Sequence, residues 1–263
     1  MNKFPILLIL ICCSIFACNS NKDLASTKSA MEENPAAAGF NLEASDAKAI
    51  ALADTVMSKM GGRKNWDNTR YIHWNFFGRR TLLWDKWEGK VRIEILEDKT
   101  IYLVDVNNDS GQVFKDGMAI SQPDSLKKYI GKGKSIWIND SYWLVMPFKL
   151  KDSGVTLKYQ GSAATKEGED AEVLALTFEN VGDTPQNKYQ VYVDKSTGLV
   201  CQWDFFTNAT DPEPRFSTPW KDYKTFGNIL LSGERGMAQL TEIKVLESIP
   251  EAAFTSFEPV QLD

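Results

Sequence analysis

Few of the residue types that perform chemistry stand in useful company in this chain. His73 is its one histidine, and it lies in the aromatic run Tyr71-Ile72-His73-Trp74-Asn75-Phe76-Phe77. A histidine acting as general base needs a nucleophile beside it and a third group to orient it. No Gly-x-Ser-x-Gly turn that would present a serine occurs. His73 is therefore read as a structural, hydrogen-bonded residue. Cys12, Cys13 and Cys18 crowd the apolar N-terminus, and only Cys201 in the body of the chain is left to join His73, so a zinc site of His and Cys fails by count. Cys201 opens an expected strand and reads as a small buried hydrophobe. Asp105, Asn107 and Asp109 alternate like the first ligands of a calcium loop, with Asp116 at its twelfth position. Ser110 stands where that loop needs glycine, and Asp116 is shorter than the usual glutamate. The segment reads better as a hairpin turn. Glu167, Glu169 and Asp170 read as a solvated loop. No catalytic set, metal or cofactor is expected, and an enzyme here would have to work through carboxylates alone.

Aromatic surface is what the sequence offers instead. Its eight tryptophans are Trp66, Trp74, Trp84, Trp87, Trp137, Trp143, Trp203 and Trp220. Such residues fill cores and also line apolar pockets that carry few polar groups. The candidate wall of a ligand cavity comprises Trp74, Phe76, Trp84, Trp87, Trp137, Trp143 and Trp203. Trp84 and Trp87, three apart in one expected strand, would point to opposite faces. One of the two would then need a second buried environment or a lipid-like partner.

The N-terminus carries its own chemistry. Lys3 precedes an apolar run from Phe4 to Ala17, too short to span a membrane, which takes about 20 residues, and suited to the apolar part of a secretory signal. Ile15-Phe16-Ala17-Cys18 resembles the lipobox of bacterial lipoproteins. There an aliphatic and a small residue precede the cysteine whose thiol takes the lipid. The resemblance implies a signal peptide over 1–17, cleavage before Cys18, and acyl chains on Cys18 that hold the protein to a membrane. The alternative is an ordinary secretory signal that happens to contain cysteines. Asn19 is not the aspartate of an inner-membrane retention signal, so the outer membrane of a Gram-negative bacterium is the expected site, with the leaflet open.

With Cys12 and Cys13 removed and Cys18 lipidated, only Cys201 is left, so core burial must replace disulfides as the source of stability. A hydrophobic share of 43% permits that. The net charge of −5 argues against nucleic acid or a polybasic membrane surface as partner.

Residues 18–43 are polar and small, and are expected to form a flexible tether. A single domain over 44–263 follows. It opens on a helix with Ser45 as N-cap, Asp46 in the first turn, an apolar stripe of Ile50, Ala53, Met57 and Met60, and a stop at Gly61-Gly62. The period then switches to two. Strands are expected over 71–77, 81–87, 91–96, 101–106, 155–159, 173–178, 189–193, 199–207, 220–226 and 240–246, with hairpin turns at Glu88-Gly89 and Asp194 to Gly198. A second helix is expected over 122–130. The aromatic stretch 135–148 is expected to cross or plug one face of the sheet. The fold class is mainly β with helices: a curled antiparallel sheet or half-open β-barrel with covering helices.

Several of these segments also carry a family resemblance. They are the helix ending Met60-Gly61-Gly62, Trp66, the strand Tyr71 to Phe77, Tyr142-Trp143-Leu144-Val145-Met146-Pro147-Phe148, and the late strands at Tyr189 to Asp194 and Thr197 to Val200. Their order, over residues 45 to 260, resembles the superfamily of bacterial lipoprotein-localisation factors, LolA and LolB. Within it the chain is most similar to a set of Bacteroidota lipoproteins. The resemblance implies a half-open barrel around a cavity that takes acyl chains or other apolar ligands, and it supplies no catalytic residues.

Two functions follow as expectations. One is a tethered carrier or sensor of an acyl or lipid-like ligand. The other is a protein-interaction module of the outer membrane, which requires an exposed aromatic patch. The oligomeric state stays open in both. Replacement of Cys18 by serine is expected to abolish palmitate labelling and move the protein from the membrane to the soluble fraction, as read by metabolic labelling and fractionation.

Overall fold

The computed structural model describes residues 33–262. The expected signal peptide, Cys18 and the expected tether up to residue 32 lie outside them. Two antiparallel sheets and a covering helix make up the described chain, a mainly β fold whose sheets do not close.

The domain begins earlier than residue 44. Asn34 is buried and its side-chain amide donates to Asp54 Oδ1 at 2.8 Å. Ala37 N–H donates to the Lys151 carbonyl and Asn41 N–H to that of Val155, while Phe40 is buried. The polar composition of 34–42 conceals this, because backbone hydrogen bonds and one buried ion pair, Lys151 with Asp54 at 2.5 Å, hold the segment in place of apolar area.

Helix α1 (Ala47–Lys59) buries Ile50, Ala53 and Met57, with Met60 just beyond its end, as the stripe predicts. Gly61 and Gly62 follow at φ of 112° and 86°, a conformation that suits glycine. The start differs from expectation: Asp46 is the N-cap and makes no side-chain cap. Ser45 Oγ donates to the Asn41 carbonyl and accepts from Leu157 N–H, and Asp46 accepts from Tyr159 N–H. Both side chains dock the helix on a neighbouring strand instead of capping it. Helix α2 (Arg63–Asn68) is short and buries Trp66.

The strands are β1 (Tyr71–Phe76), β2 (Arg80–Asp85), β3 (Lys90–Ile95), β4 (Ile101–Asp105), β5 (Ser110–Lys115), β6 (Met118–Ala119), β7 (Val155–Ala164), β8 (Asp170–Phe178), β9 (Lys188–Asp194), β10 (Val200–Phe206), β11 (Phe216–Pro219), β12 (Lys221–Phe226), β13 (Ile229–Arg235) and β14 (Ala238–Leu246). One sheet runs β12-β13-β14-β1-β2-β3-β4-β5-β6 and the other β11-β10-β9-β8-β7. The expected curled antiparallel arrangement is present as two open sheets, joined where β11 passes into β12 through buried Trp220, whose backbone N–H donates to the Cys201 carbonyl. The strands β5, β6, β11 and β13 are additions to the expected set. Alternation is weak in them: β5 buries little beyond Val113, and β13 pairs two adjacent leucines with Ser and Gly.

On the nine-stranded sheet Ile72, Trp74, Leu82, Val91, Ile93, Tyr102 and Val104 form one buried face. Helix α3 covers it as one continuous element, Pro123–Val145, where the sequence suggests a short helix and a separate crossing stretch. Gly131 and Gly133 lower helix propensity, yet Gly133 is what lets the helix lie close. A Cβ there would come within 2.8 Å of Val104 Cγ2 and 3.1 Å of Tyr102 Cδ1. Asp140, fully buried, receives a bidentate pair from Arg80 of β2 at 2.5 and 2.7 Å. Arg235 of β13 donates to the Trp143 carbonyl at 2.8 Å, near the C-terminus of α3.

On the opposite face of the sheet Arg92, 3% exposed, donates to the carbonyls of Ala253, Ser256 and Glu258 and to Glu94. These bonds seat residues 251–258 on β3. Removing Arg80 alone strands the Asp140 charge in the core. Arg80→Met is expected to lower stability by about 3–5 kcal/mol in urea unfolding. Combining it with Asp140→Leu is expected to restore most of that loss, since the uncompensated charge and not the missing pair sets the cost.

Candidate functional site

A cleft of about 570 Å³ opens between the C-terminal half of α3 and one end of the five-stranded sheet. Antiparallel register builds its sheet wall: Trp203 sits opposite Val191, Phe205 opposite Tyr189 and Phe216. Directly paired residues share a face, so Trp203, Phe205, Tyr189 and Phe216 all present to the same side. From the helix come Ile138, Tyr142 and Trp143, and from the end of β8 comes Phe178. The rings interlock. Tyr189 stacks on Trp203 at 4.9 Å and Phe205 on Phe216 at 5.0 Å, while Trp143 meets Trp203 edge-on at 4.9 Å.

Trp203 is 1% exposed and forms the floor, while the other rings are half-buried. The rim is polar: Ser135 and Asn139 from α3, Asp183, Thr184 and Asn187 from the loop before β9, and exposed Arg215. Asn187 donates to Thr184 Oγ1 at 2.7 Å and steadies that loop. Burial pushes the Tyr142 hydroxyl well above its ordinary pKa and that of Tyr189 up to about 12. Both phenols stay protonated across the physiological range and serve as neutral surface, not as bases. Neither the Tyr142 hydroxyl nor the Trp203 indole N–H has a hydrogen-bond partner among the described residues, and both are occluded.

Of the seven expected wall residues, two line this cleft: Trp143 and Trp203. Phe76 packs behind Trp143 with ring centroids 6.5 Å apart. Trp74 is fully buried in the main core. Trp84 and Trp137 meet edge-on at 5.4 Å under α3, away from the cleft. Trp87 is not in a strand with Trp84. β2 ends at Asp85, and Trp87 stands in the following turn, 55% exposed. The turn resolves the two-face conflict by moving Trp87 out of the pleat. Tyr142, Phe178, Tyr189, Phe205 and Phe216 complete the wall. The sequence marks four of them only as members of aromatic segments, and Phe216 lies in an unexpected strand.

The lone chemical groups behave structurally. His73 Nδ1 lies 2.9 Å from the Glu242 carbonyl at a bulge between β1 and β14. Burial holds its imidazole below the ordinary value. Cys201 is buried, and burial pushes its thiol up to about 12, which leaves it unreactive. Asp105 turns its carboxylate back onto the N–H groups of Asn107 and Asn108, and Asp109 pairs with Lys134. That is the bonding of a hairpin turn. Among the described residues no cluster of three or more His, Cys, Asp or Glu side chains is placed to hold a metal ion.

Fold and cleft together define a mainly β domain of two open antiparallel sheets, one covering helix and an aromatic cleft at their junction. No protein-family model matches the chain, and no curated protein matches it. Among solved structures it is similar to a DUF1329 family protein from Desulfovibrio piger, at 14% identity and a TM-score of 0.44, over 78% of this chain and 96% of that one. It is also similar to MucB, solved in complex with MucA(peri), at 16% identity and a TM-score of 0.23. That match covers 79% of this chain and 59% of the MucB chain. No described helix is long and apolar enough to cross a membrane.

The floor and the rim differ in what they support. Trp203→Ala is expected to cost about 3–5 kcal/mol, as for other buried aromatics. Phe216→Ala, half-exposed over the opening, is expected to cost about 1 kcal/mol. Urea unfolding of the two variants distinguishes floor from lining.

Proposed function

We propose that this chain is a non-catalytic envelope lipoprotein, tethered to the outer membrane by lipid on Cys18, that holds an apolar, acyl or lipid-like ligand in the aromatic cleft. The observation that supports it is the cleft. Its volume of about 570 Å³ falls inside the roughly 300–1,000 Å³ of small-molecule sites. Its walls are rings from four strands and a helix, with charged groups confined to the rim. A half-buried aromatic surface of this kind gains when an apolar ligand displaces water from it.

The place of the site differs from the one the sequence suggests. The interior between the nine-stranded sheet and α3 is filled by Trp74, Leu82, Ile93 and Leu144, so the hollow lies beside the core and not within a barrel. Neither His73, which serves a backbone carbonyl, nor Cys201, whose thiol is held protonated, is placed as an activated nucleophile. The resemblance of residues 45 to 260 to lipoprotein-localisation factors belongs to this proposal.

Native mass spectrometry of the chain from Asn19 onward, purified without detergent, is the test. An apolar adduct is expected on the wild-type protein, with at least a tenfold lower occupancy in Phe216→Asp. A protein free of adduct that also takes up no fatty acid or phospholipid from vesicles would overturn the carrier reading and leave an interaction module.

A further inference from the structure

Around Trp87 the structure gathers features that neither the core nor the cleft uses. Trp87 is 55% exposed, but it is not loose. Its indole N–H donates to the Asp67 carbonyl at 2.9 Å, and the Arg70 guanidinium lies 5.1 Å from its ring centroid. An aromatic ring held outward by its polar edge exposes apolar area at a fixed position, which is costly in water and suited to a membrane interface.

The neighbourhood is rich in cations although the chain as a whole carries −5. Lys64 is exposed on α2. Lys86 reaches the Asp67 carbonyl and lies over the Trp66 ring at 4.7 Å, and Trp66 in turn stacks on Phe148 at 4.4 Å, beside Lys149. The acids facing this group are Asp67, paired with Arg63, Asp85, paired with Arg70, Glu88, paired with Lys90, Asp105, opposite Lys90 in the strand register, and Asp152, paired with Lys149. Lys64 and Lys86 pair with none of them. Burial, opposed by Asp67 and aided by the smaller effects of Arg63 and Lys149, holds the Lys86 ammonium below its ordinary pKa. A phosphate group nearby would relieve that crowding.

The third feature is where the N-terminal chain joins the domain. Arg63 Nη1 donates to the Pro35 carbonyl at 3.0 Å, next to buried Asn34. The segment leading back to Cys18 therefore meets the domain beside α2, on the side that carries Trp87. At no more than about 3.6 Å per residue, the chain from Cys18 to Asn34 reaches at most about 58 Å. Along the chain this end of the domain lies closest to the lipid.

We infer that the surface formed by Trp87, Lys64, Lys86 and Lys149 rests on the phospholipid headgroups of the membrane that holds the anchor, with the Trp87 ring at the headgroup boundary. The inference rests on the tether reading above, since a single exposed ring and a few lysines hold a protein to a bilayer only when a second signal keeps it there. Docking by this end fixes which way the domain stands on its membrane.

The test uses the full lipidated chain in vesicles of phosphatidylethanolamine and phosphatidylglycerol, with a fraction of the lipid brominated near the headgroup. The Trp87 signal is the difference between wild type and Trp87→Phe. It is expected to be quenched by bromolipid and at least threefold less open to aqueous iodide on vesicles than in detergent. Charge reversal at Lys64 and Lys149 is expected to halve the bromolipid quenching. Palmitate labelling of Cys18 in the same preparation separates the two readings. A labelled protein whose Trp87 is as open to iodide on vesicles as in detergent overturns the docking and leaves the tether standing. An unlabelled Cys18 removes the tether and the docking together.

Discussion

The position of helix α3 on the larger sheet is the constraint that everything else depends on. Three contacts set it: the missing side chain at Gly133, which admits Tyr102 and Val104; the pair between Asp140 and Arg80; and the hold of Arg235 on the Trp143 carbonyl. Apolar burial alone would let the helix slide, because it is not directional. A bidentate ion pair is directional, and the pair of Arg80 with Asp140 ties one turn of α3 to β2. With the helix fixed, its Tyr142 and Trp143 face the second sheet at a set distance. The cleft is the space that this distance leaves unfilled.

The same helix explains why the interior is full while its flank is open. Trp74, Trp84 and Trp137 are consumed in packing helix to sheet. Tyr189, Phe205 and Phe216 of β9, β10 and β11 stay half-buried, with Tyr142 and Trp143 across the cleft from them. Several indole N–H groups, of Trp74, Trp137, Trp203 and Trp220, lack partners in the described structure. Each such group costs about 1–3 kcal/mol, which the ring area it brings into the core must exceed. Arg235 offsets part of this around Trp220, with its guanidinium 3.5 Å from the ring centroid.

Much of the fold was legible because it obeys local rules. The stripe on α1, the alternation of Ile72, Trp74 and Phe76, and the turn chemistry of Asp194 to Gly198 each follow from neighbours in sequence. What was not legible is tertiary. The unity of α3 depends on Gly133 meeting two residues of β4, and the division into two sheets depends on Trp220 turning the chain between β11 and β12. The ordering of 34–42 depends on Asp54 and Lys151, far away along the chain. The expected wall residues are dispersed for the same reason. Residue type marked Trp74 and Trp84 as strongly as Trp143 and Trp203, and only the placement of α3 decides which of them border the cleft.

The close aromatic contacts also give the molecule an optical character. Trp203 lies 5.2 Å from Trp220 at 77° and 4.9 Å from Trp143 at 78°. Indoles that near and that skewed couple their electronic transitions, so the floor of the cleft absorbs as a chiral assembly and not as separate chromophores. Any shift of α3 against the smaller sheet would alter that coupling, so near-ultraviolet circular dichroism reports the seating of α3 over the cleft floor with no label attached.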